Sequence, residues 1–73
     1  MKIDIYRNTK NKKKHLAVPT GKNKPQDAID FNMEHRNIDS SSYSAEKDIE
    51  YQIKKNGYAV FDLETISNSK ISP

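Results

Sequence analysis

The chain opens on an alternation. In Lys2-Ile3-Asp4-Ile5-Tyr6-Arg7 the apolar Ile3 and Ile5 fall on one side of an extended backbone, and Lys2, Asp4 and Tyr6 on the other. That is the period-2 pattern of a half-buried strand. A polar, turn-prone stretch follows, Asn8-Thr9-Lys10-Asn11-Lys12-Lys13-Lys14, before His15-Leu16-Ala17-Val18 alternates again and Pro19-Thr20-Gly21 ends the run. The two runs predict a β-hairpin. Its lysine-rich connection of seven residues exceeds the roughly two to five of most hairpins, so a mobile tip is expected.

Residues 22–43 admit two readings. Lys24-Pro25-Gln26-Asp27-Ala28-Ile29-Asp30 suits a short helix, with Pro25 at the first helical position and acids in the first turn. Phe31-Asn32-Met33 equally alternates as an irregular strand. In either form Phe31, Met33 and Ile38 are expected to cover one edge of the core. Asp39-Ser40-Ser41-Ser42 reads as a turn, because short polar side chains compete with regular backbone pairing.

The pattern from Ala45 to about Lys55 predicts a helix. Ala45, Ile49 and Ile53 recur at i, i+4 and i+8 and form one narrow apolar stripe. Ser44 is an N-cap candidate, Glu46 and Asp48 suit the positive end of the helix dipole, and Lys54 and Lys55 suit the last turn. Glu50 and Lys54 form an i, i+4 pair. Asn56-Gly57 is a stop, with Gly57 free to turn left-handed and Tyr58 placed to pack back on Ile53. Tyr58-Ala59-Val60-Phe61-Asp62-Leu63 then alternates as a further strand, with Ala59, Phe61 and Leu63 on its apolar face.

These elements predict a small α+β domain of two layers. Its order is β-β-α-β, with a three-stranded sheet (hairpin plus C-terminal strand) and one main helix across it. Ile3, Ile5, Leu16, Val18, Phe61 and Leu63 would meet Ile49 and Ile53, and the open face would show Lys2, Tyr6, His15, Tyr58 and Asp62. Residues 1–66 are expected to form the domain and 67–73 a disordered tail.

Three pieces, Met1-Lys2-Ile3-Asp4-Ile5-Tyr6-Arg7, Leu16-Ala17-Val18-Pro19-Thr20-Gly21 and Gly57-Tyr58-Ala59, resemble a group of small, functionally uncharacterised bacterial proteins. They cover sixteen residues of 73 and fall on the three expected strands. The resemblance implies a bacterial, compact, cytosolic protein and carries no activity or site residues with it.

Composition narrows the picture. Leu, Ile, Val and Phe together number fourteen of 73, so the core lies near the lower size limit for independent folding. No cysteine is present, which removes disulfides and thiolate metal sites and is compatible with the reducing cytoplasm. The first residues lack the apolar stretch of a secretory signal, and no run approaches the roughly 18–20 apolar residues of a membrane span. A cytoplasmic protein without membrane contact is the expectation.

Charge is strongly polarised along the chain. Residues 1–24 carry eight lysines and arginines against one acid, Asp4, a net +7, whereas residues 25–73 carry five against nine, a net −4. A region so biased favours anionic partners. Lys10, Lys12, Lys13 and Lys14, flanked by Arg7, His15, Lys22 and Lys24, are candidate contacts to RNA or DNA phosphates. Tyr6 and Tyr58, on the expected open face, are candidate stacking platforms. The same lysines also serve to solvate a long loop and discourage edge-to-edge aggregation. The alternative is a protein-interaction module using a sheet edge or the acidic helix face of Glu46, Asp48 and Glu50.

Catalysis has little in its favour. No G-x-S-x-G motif is present, and Ser40, Ser41, Ser42 and Ser44 form a turn-and-cap cluster. His15 and His35 sit in no metal-binding spacing, and Glu34, His35 and Asp39 share ligand chemistry without ligand spacing. Gly21 and Gly57 are the only glycines, too few for a phosphate-cradling loop. The expectation is a non-enzyme with no catalytic residues, metal or cofactor.

Overall fold

The computed structural model describes residues 1–63; the expected tail at 67–73 lies outside them. The elements are β1 (Lys2–Asn8), β2 (Lys14–Pro19), β3 (Phe31–Asp39), a 3-10 turn (Ser40–Ser42), α1 (Glu46–Asn56) and β4 (Ala59–Asp62). The strands form one antiparallel sheet in the order β3-β1-β2-β4, so the hairpin supplies both central strands. The α+β class is as expected, but the sheet has four strands rather than three and the order is β-β-β-α-β. The added strand is β3. The stretch before it is turn rather than helix, with Ala28 N–H donating to the Pro25 carbonyl at 3.0 Å and Phe31 N–H to the Ala28 carbonyl at 3.3 Å.

Two bulges explain why β3 carries no legible alternation. Ile38 pairs with Ile3 and His35 with Ile5, so Arg36 and Asn37 together oppose the single residue Asp4. Asn37 adopts φ 57°, a left-handed conformation that asparagine tolerates better than most side chains. The next pairs are Ile5 with His35 and Tyr6 with Met33, which leaves Glu34 as a second extra residue. Each insertion shifts the side-chain phase.

The β1–β2 connection is braced by hydrogen bonds to asparagine. The Asn8 side-chain oxygen accepts from the N–H groups of Lys10 and Asn11, both at 2.8 Å, and Asn11 accepts from Lys13 N–H at 3.1 Å. The Lys14 N–H then donates to the Asn11 carbonyl at 3.0 Å. Asparagine side chains thus supply the acceptors that a longer ladder would have supplied.

The phase of β2 is the main correction. Ala17 pairs with Ile5 and with Ala59, and His15 pairs with Arg7 and with Phe61. His15 and Ala17 therefore share the helix-facing side of the sheet. The core against α1 comprises Ile3, Ile5, Ala17, Ile49, Ile53, Ala59 and Phe61, with Ile38, Tyr43, Ala45 and Leu63 partly buried beside it. Each of its four isoleucines contributes about 1.5–3 kcal/mol by leaving water. Leu16 and Val18 are fully buried as well, but on the opposite face. There they meet the segment 20–30, which folds back over the sheet and buries Ala28. With both faces of β2 covered, all of His15–Val18 is buried, and hydrophobicity no longer marks which side faces the helix.

The helix begins at Glu46, one residue later than expected, and Ser44 does not cap it. Ala45 holds the N-cap position without a side-chain hydrogen bond, because the preceding turn brings Glu46 N–H to the Tyr43 carbonyl at 3.2 Å. Gly57 ends the helix as expected, at φ 87° with its N–H on the Ile53 carbonyl at 2.8 Å. Tyr58 points to the loop-covered face instead of back to Ile53. Glu50 turns toward the buried Ser40 hydroxyl, 2.8 Å away, rather than toward Lys54.

Candidate anion-binding surface

The fold separates the sequence-predicted site residues into groups. Lys10, Lys12, Lys13 and Lys14 are exposed on the hairpin loop and at its return. Lys12 and Lys14 make no ion pair among the described residues, while Lys10 lies 3.9 Å from Asp30. Lys22 sits beyond the far end of β2, so the six residues of that strand place it about 20 Å from the loop. Lys24 is used inside the fold: its ammonium donates to the Phe31 carbonyl at 2.6 Å and lies 5.7 Å from the centre of the Tyr6 ring. Tyr6 is therefore covered by a cation and is not an open stacking platform.

Tyr58 keeps an accessible position. It lines a cleft of about 190 Å³ between β4 and the 25–31 segment, with Lys14, Leu16, Ala28, Phe31 and Val60 among its neighbours. Beside the same loop, on the other side of the sheet, Arg7, Asn8, Thr9, Lys12, Asn32, Met33 and Glu34 line a cleft of about 250 Å³. The two clefts flank the lysine loop.

His15 is not at the surface. Its ring is buried, Nδ1 lies 2.8 Å from the Lys13 carbonyl oxygen, and Nε2 lies 3.2 Å from Glu34 Oε1. Both neighbours are acceptors, and which of them the ring donates to depends on its tautomer. The other oxygen of Glu34 lies 3.3 Å from Arg7 Nη1. Phe61 stacks obliquely on His15 at 5.8 Å, and Tyr43 meets Phe61 edge-on at 5.6 Å. Burial, helped by the nearby Glu34 charge, pushes the Tyr43 phenol above its ordinary range.

Glu34 is the residue that the sequence did not single out for this role. It is the second bulge residue of β3, and the bulge turns its carboxylate across Arg7 toward His15. The available signal was a carboxylate in a strand without clean alternation, which is too common to be diagnostic. Asp39 is engaged elsewhere, accepting from Ser41 N–H at 2.9 Å. Among the described residues, no three His, Cys, Asp or Glu side chains converge to hold a metal ion.

Asp4 is a buried carboxylate, and its role is in the fold. Its carboxylate accepts from Asn37 N–H at 2.8 Å, the Thr20 hydroxyl at 3.1 Å and Gly21 N–H at 3.5 Å. Burial opposes the charge, but these donors and the Arg36 charge outweigh it and hold the Asp4 carboxyl below the usual carboxylate range. One side chain thereby fixes both the β3 bulge and the turn after β2.

The chain is thus a small α+β domain with a four-stranded antiparallel sheet, a helix on one face and a polar hairpin loop between two clefts. It belongs to DUF6139, a family of unknown function whose model matches residues 1–67. No curated protein and no solved structure matches the chain. Among the described residues, no helix is long and apolar enough to cross a membrane.

Proposed function

We propose that this is a non-catalytic, cytoplasmic binding protein that holds an anionic partner, RNA or DNA first, through the Lys10–Lys14 loop. The observation that carries this reading is the construction of the loop. Asn8 and Asn11 fix its backbone with four short hydrogen bonds, so the lysines project from a defined scaffold. Preorganised cations lose less entropy when they meet phosphates than cations on a floppy tip. Tyr58, beside Lys14 in its cleft, is the aromatic surface offered to a base, and Tyr6 drops out of that role.

The test is NMR titration with short single-stranded and duplex nucleic acids at low and near-physiological salt. Neutralising Lys12, Lys13 and Lys14 together (Lys→Gln at each) should abolish binding and leave the fold intact, and binding should fall steeply with salt. Absence of any shift at low salt would sink the reading.

The protein-interaction alternative is supported by one observation. The outer edge of β3 is engaged at Phe31, by the Ala28 carbonyl and the Lys24 ammonium, and from residue 32 to 39 it pairs with no strand among the described residues, whereas that of β4 is closed at Val60, whose N–H and carbonyl are both bonded to the Gln52 side chain at 3.1 Å. Strand addition would have to use β3. Its two bulges interrupt the run of edge groups a partner strand needs, so the loop reading is preferred.

A further inference from the structure

The 250 Å³ cleft on the helix side of the loop has more structure than a patch of surface lysines. At its wall Glu34 is held between a guanidinium and an imidazole: Arg7 Nη1 at 3.3 Å from one oxygen, and the buried His15 Nε2 at 3.2 Å from the other. The Lys13 carbonyl fixes the far side of the imidazole. Glu34 is therefore also engaged from behind, and Arg7 is not fully consumed by it. Arg7 is about half exposed and has five N–H donors, most of them left for another acceptor.

The remaining lining supplies matching donors. Asn8 uses its side-chain oxygen on the N–H groups of Lys10 and Asn11, so its orientation is set and its NH₂ is the end left to donate. Thr9 contributes a hydroxyl, Asn32 a carboxamide and Lys12 an ammonium without an ion pair among the described residues. A small cleft rich in donors, its one carboxylate already engaged by Arg7 and the imidazole, is suited to a tetrahedral oxyanion. Its volume is below the roughly 300–1,000 Å³ of sites for drug-sized ligands, which fits a single phosphoryl group.

The geometry points to this cleft as a phosphoryl-group site, with Arg7 as its principal ligand and Glu34, anchored by His15, as the group that positions Arg7 and competes for it. This rests on the anion-binding reading above and specifies where one phosphate of such a partner sits. The phosphoryl group belongs either to a nucleic-acid backbone or to a free phosphate or phosphate ester.

The experiment is an NMR titration of the full chain with inorganic phosphate against sodium chloride at matched ionic strength, followed at the amides of residues 7–12 and 32–34 and at the Arg7 side-chain N–H. Saturable shifts there with phosphate, and not with chloride, are expected. Arg7→Gln should weaken phosphate binding about tenfold or more through loss of a charge-assisted contact. Glu34→Gln should strengthen it by about threefold or more by releasing Arg7 from a competing carboxylate. Lys22→Gln, far from the cleft, should leave it unchanged.

Absence of saturable shifts in the unmodified chain overturns the site, as does indifference to Arg7→Gln or weaker binding in a folded Glu34→Gln variant. Should Glu34→Gln not fold, Asn32→Ala takes its place, and failure to weaken phosphate binding with it counts against the site. A short oligonucleotide separates this inference from the reading beneath it. Oligonucleotide binding that ignores Arg7→Gln keeps the lysine loop and removes the phosphoryl site. Phosphate binding without oligonucleotide binding keeps the site for a small phosphorylated ligand and removes the nucleic-acid reading.

Discussion

The two faces of the sheet are buried by different means. On one face α1 lays Ile49 and Ile53 over Ile3, Ile5, Ala17, Ala59 and Phe61, and the burial is almost wholly apolar. On the other, segment 20–30 crosses Leu16 and Val18 without regular structure and is fixed by polar groups: Asp4 on Thr20 and Gly21, and Lys24 on Phe31 and Tyr6. A helix satisfies its own backbone and needs only an apolar stripe to dock. An irregular segment must have its backbone groups satisfied one at a time. The helix layer therefore depends on packing, and the loop layer on a few hydrogen-bonded pegs.

The sharpest way to break this contrast is to remove equivalent volume from each face. Ile49→Ala should cost about 2–5 kcal/mol, since the buried side chain leaves a cavity between two regular layers. In a 73-residue chain that is a large fraction of the total stability. Leu16→Ala should cost less, near the lower end of that range, because the irregular segment above it can settle into the space. Urea unfolding of both variants checks the difference. Equal losses would mean that the loop layer is packed as rigidly as the helix layer.

Asp4 should give the next largest effect. Asp4→Ala removes the charged acceptor of the Asn37 N–H and the Thr20 hydroxyl and should cost about 1–3 kcal/mol. The same residue predicts an acid limb. Its carboxyl in the fold lies below the ordinary 3.8, so its contribution is fully present above that value and is lost as pH falls below it through the folded value. Asp4→Asn should flatten the loss of stability below about pH 4. The flattening should be partial, because Asp39, held low by Ser41 N–H and hydroxyl, acts with the same sign and remains. An unchanged acid limb in Asp4→Asn would remove Asp4 from the peg role.

The same contrast governs what the sequence disclosed. The hairpin, α1 and β4 were legible because each has one apolar face, and the apolar stripe of Ile49 and Ile53 pointed directly to the helix. β2 was legible as a strand but not in phase: with both faces covered, Leu16 and Ala17 are equally buried and neither marks the helix side. β3 was hidden because its bulges depend on distant partners: Asp4 holds Asn37 across a separation of 33 positions, and Glu34 meets Arg7 and His15. The candidate site divides in the same manner. The lysine loop is a local composition signal and could be seen at once. The approach of Arg7, His15 and Glu34 depends on pairing β1 to β2 and on the Glu34 bulge, neither of which has a local signature. Lys24 and Tyr6 illustrate the converse, since both look like binding residues until the fold places one over the other.

The smallest effect concerns the sheet edges, which the two layers also treat differently. The helix layer reaches around β4: Gln52 accepts from Val60 N–H and donates to the Val60 carbonyl, and its amide nitrogen also lies 2.9 Å from Asp48. A side chain here plays the part of a neighbouring strand. The loop layer guards β3 only at its first residue, where Ala28 and Lys24 bond the N–H and carbonyl of Phe31, and the rest of that edge depends on its bulges. Gln52→Ala should cost only about 0.5–1.5 kcal/mol, because water can replace the amide at a strand edge. Its more informative result should be local. Amide hydrogen exchange at Val60 should speed up far more than exchange at Ala17 or Ile5 in the sheet interior. Gln52→Glu, which retains an acceptor for Val60 N–H but no donor for the carbonyl, should fall between the two. If exchange at Val60 is unchanged in Gln52→Ala, the helix does not guard the β4 edge, and that edge becomes as open to a partner strand as β3.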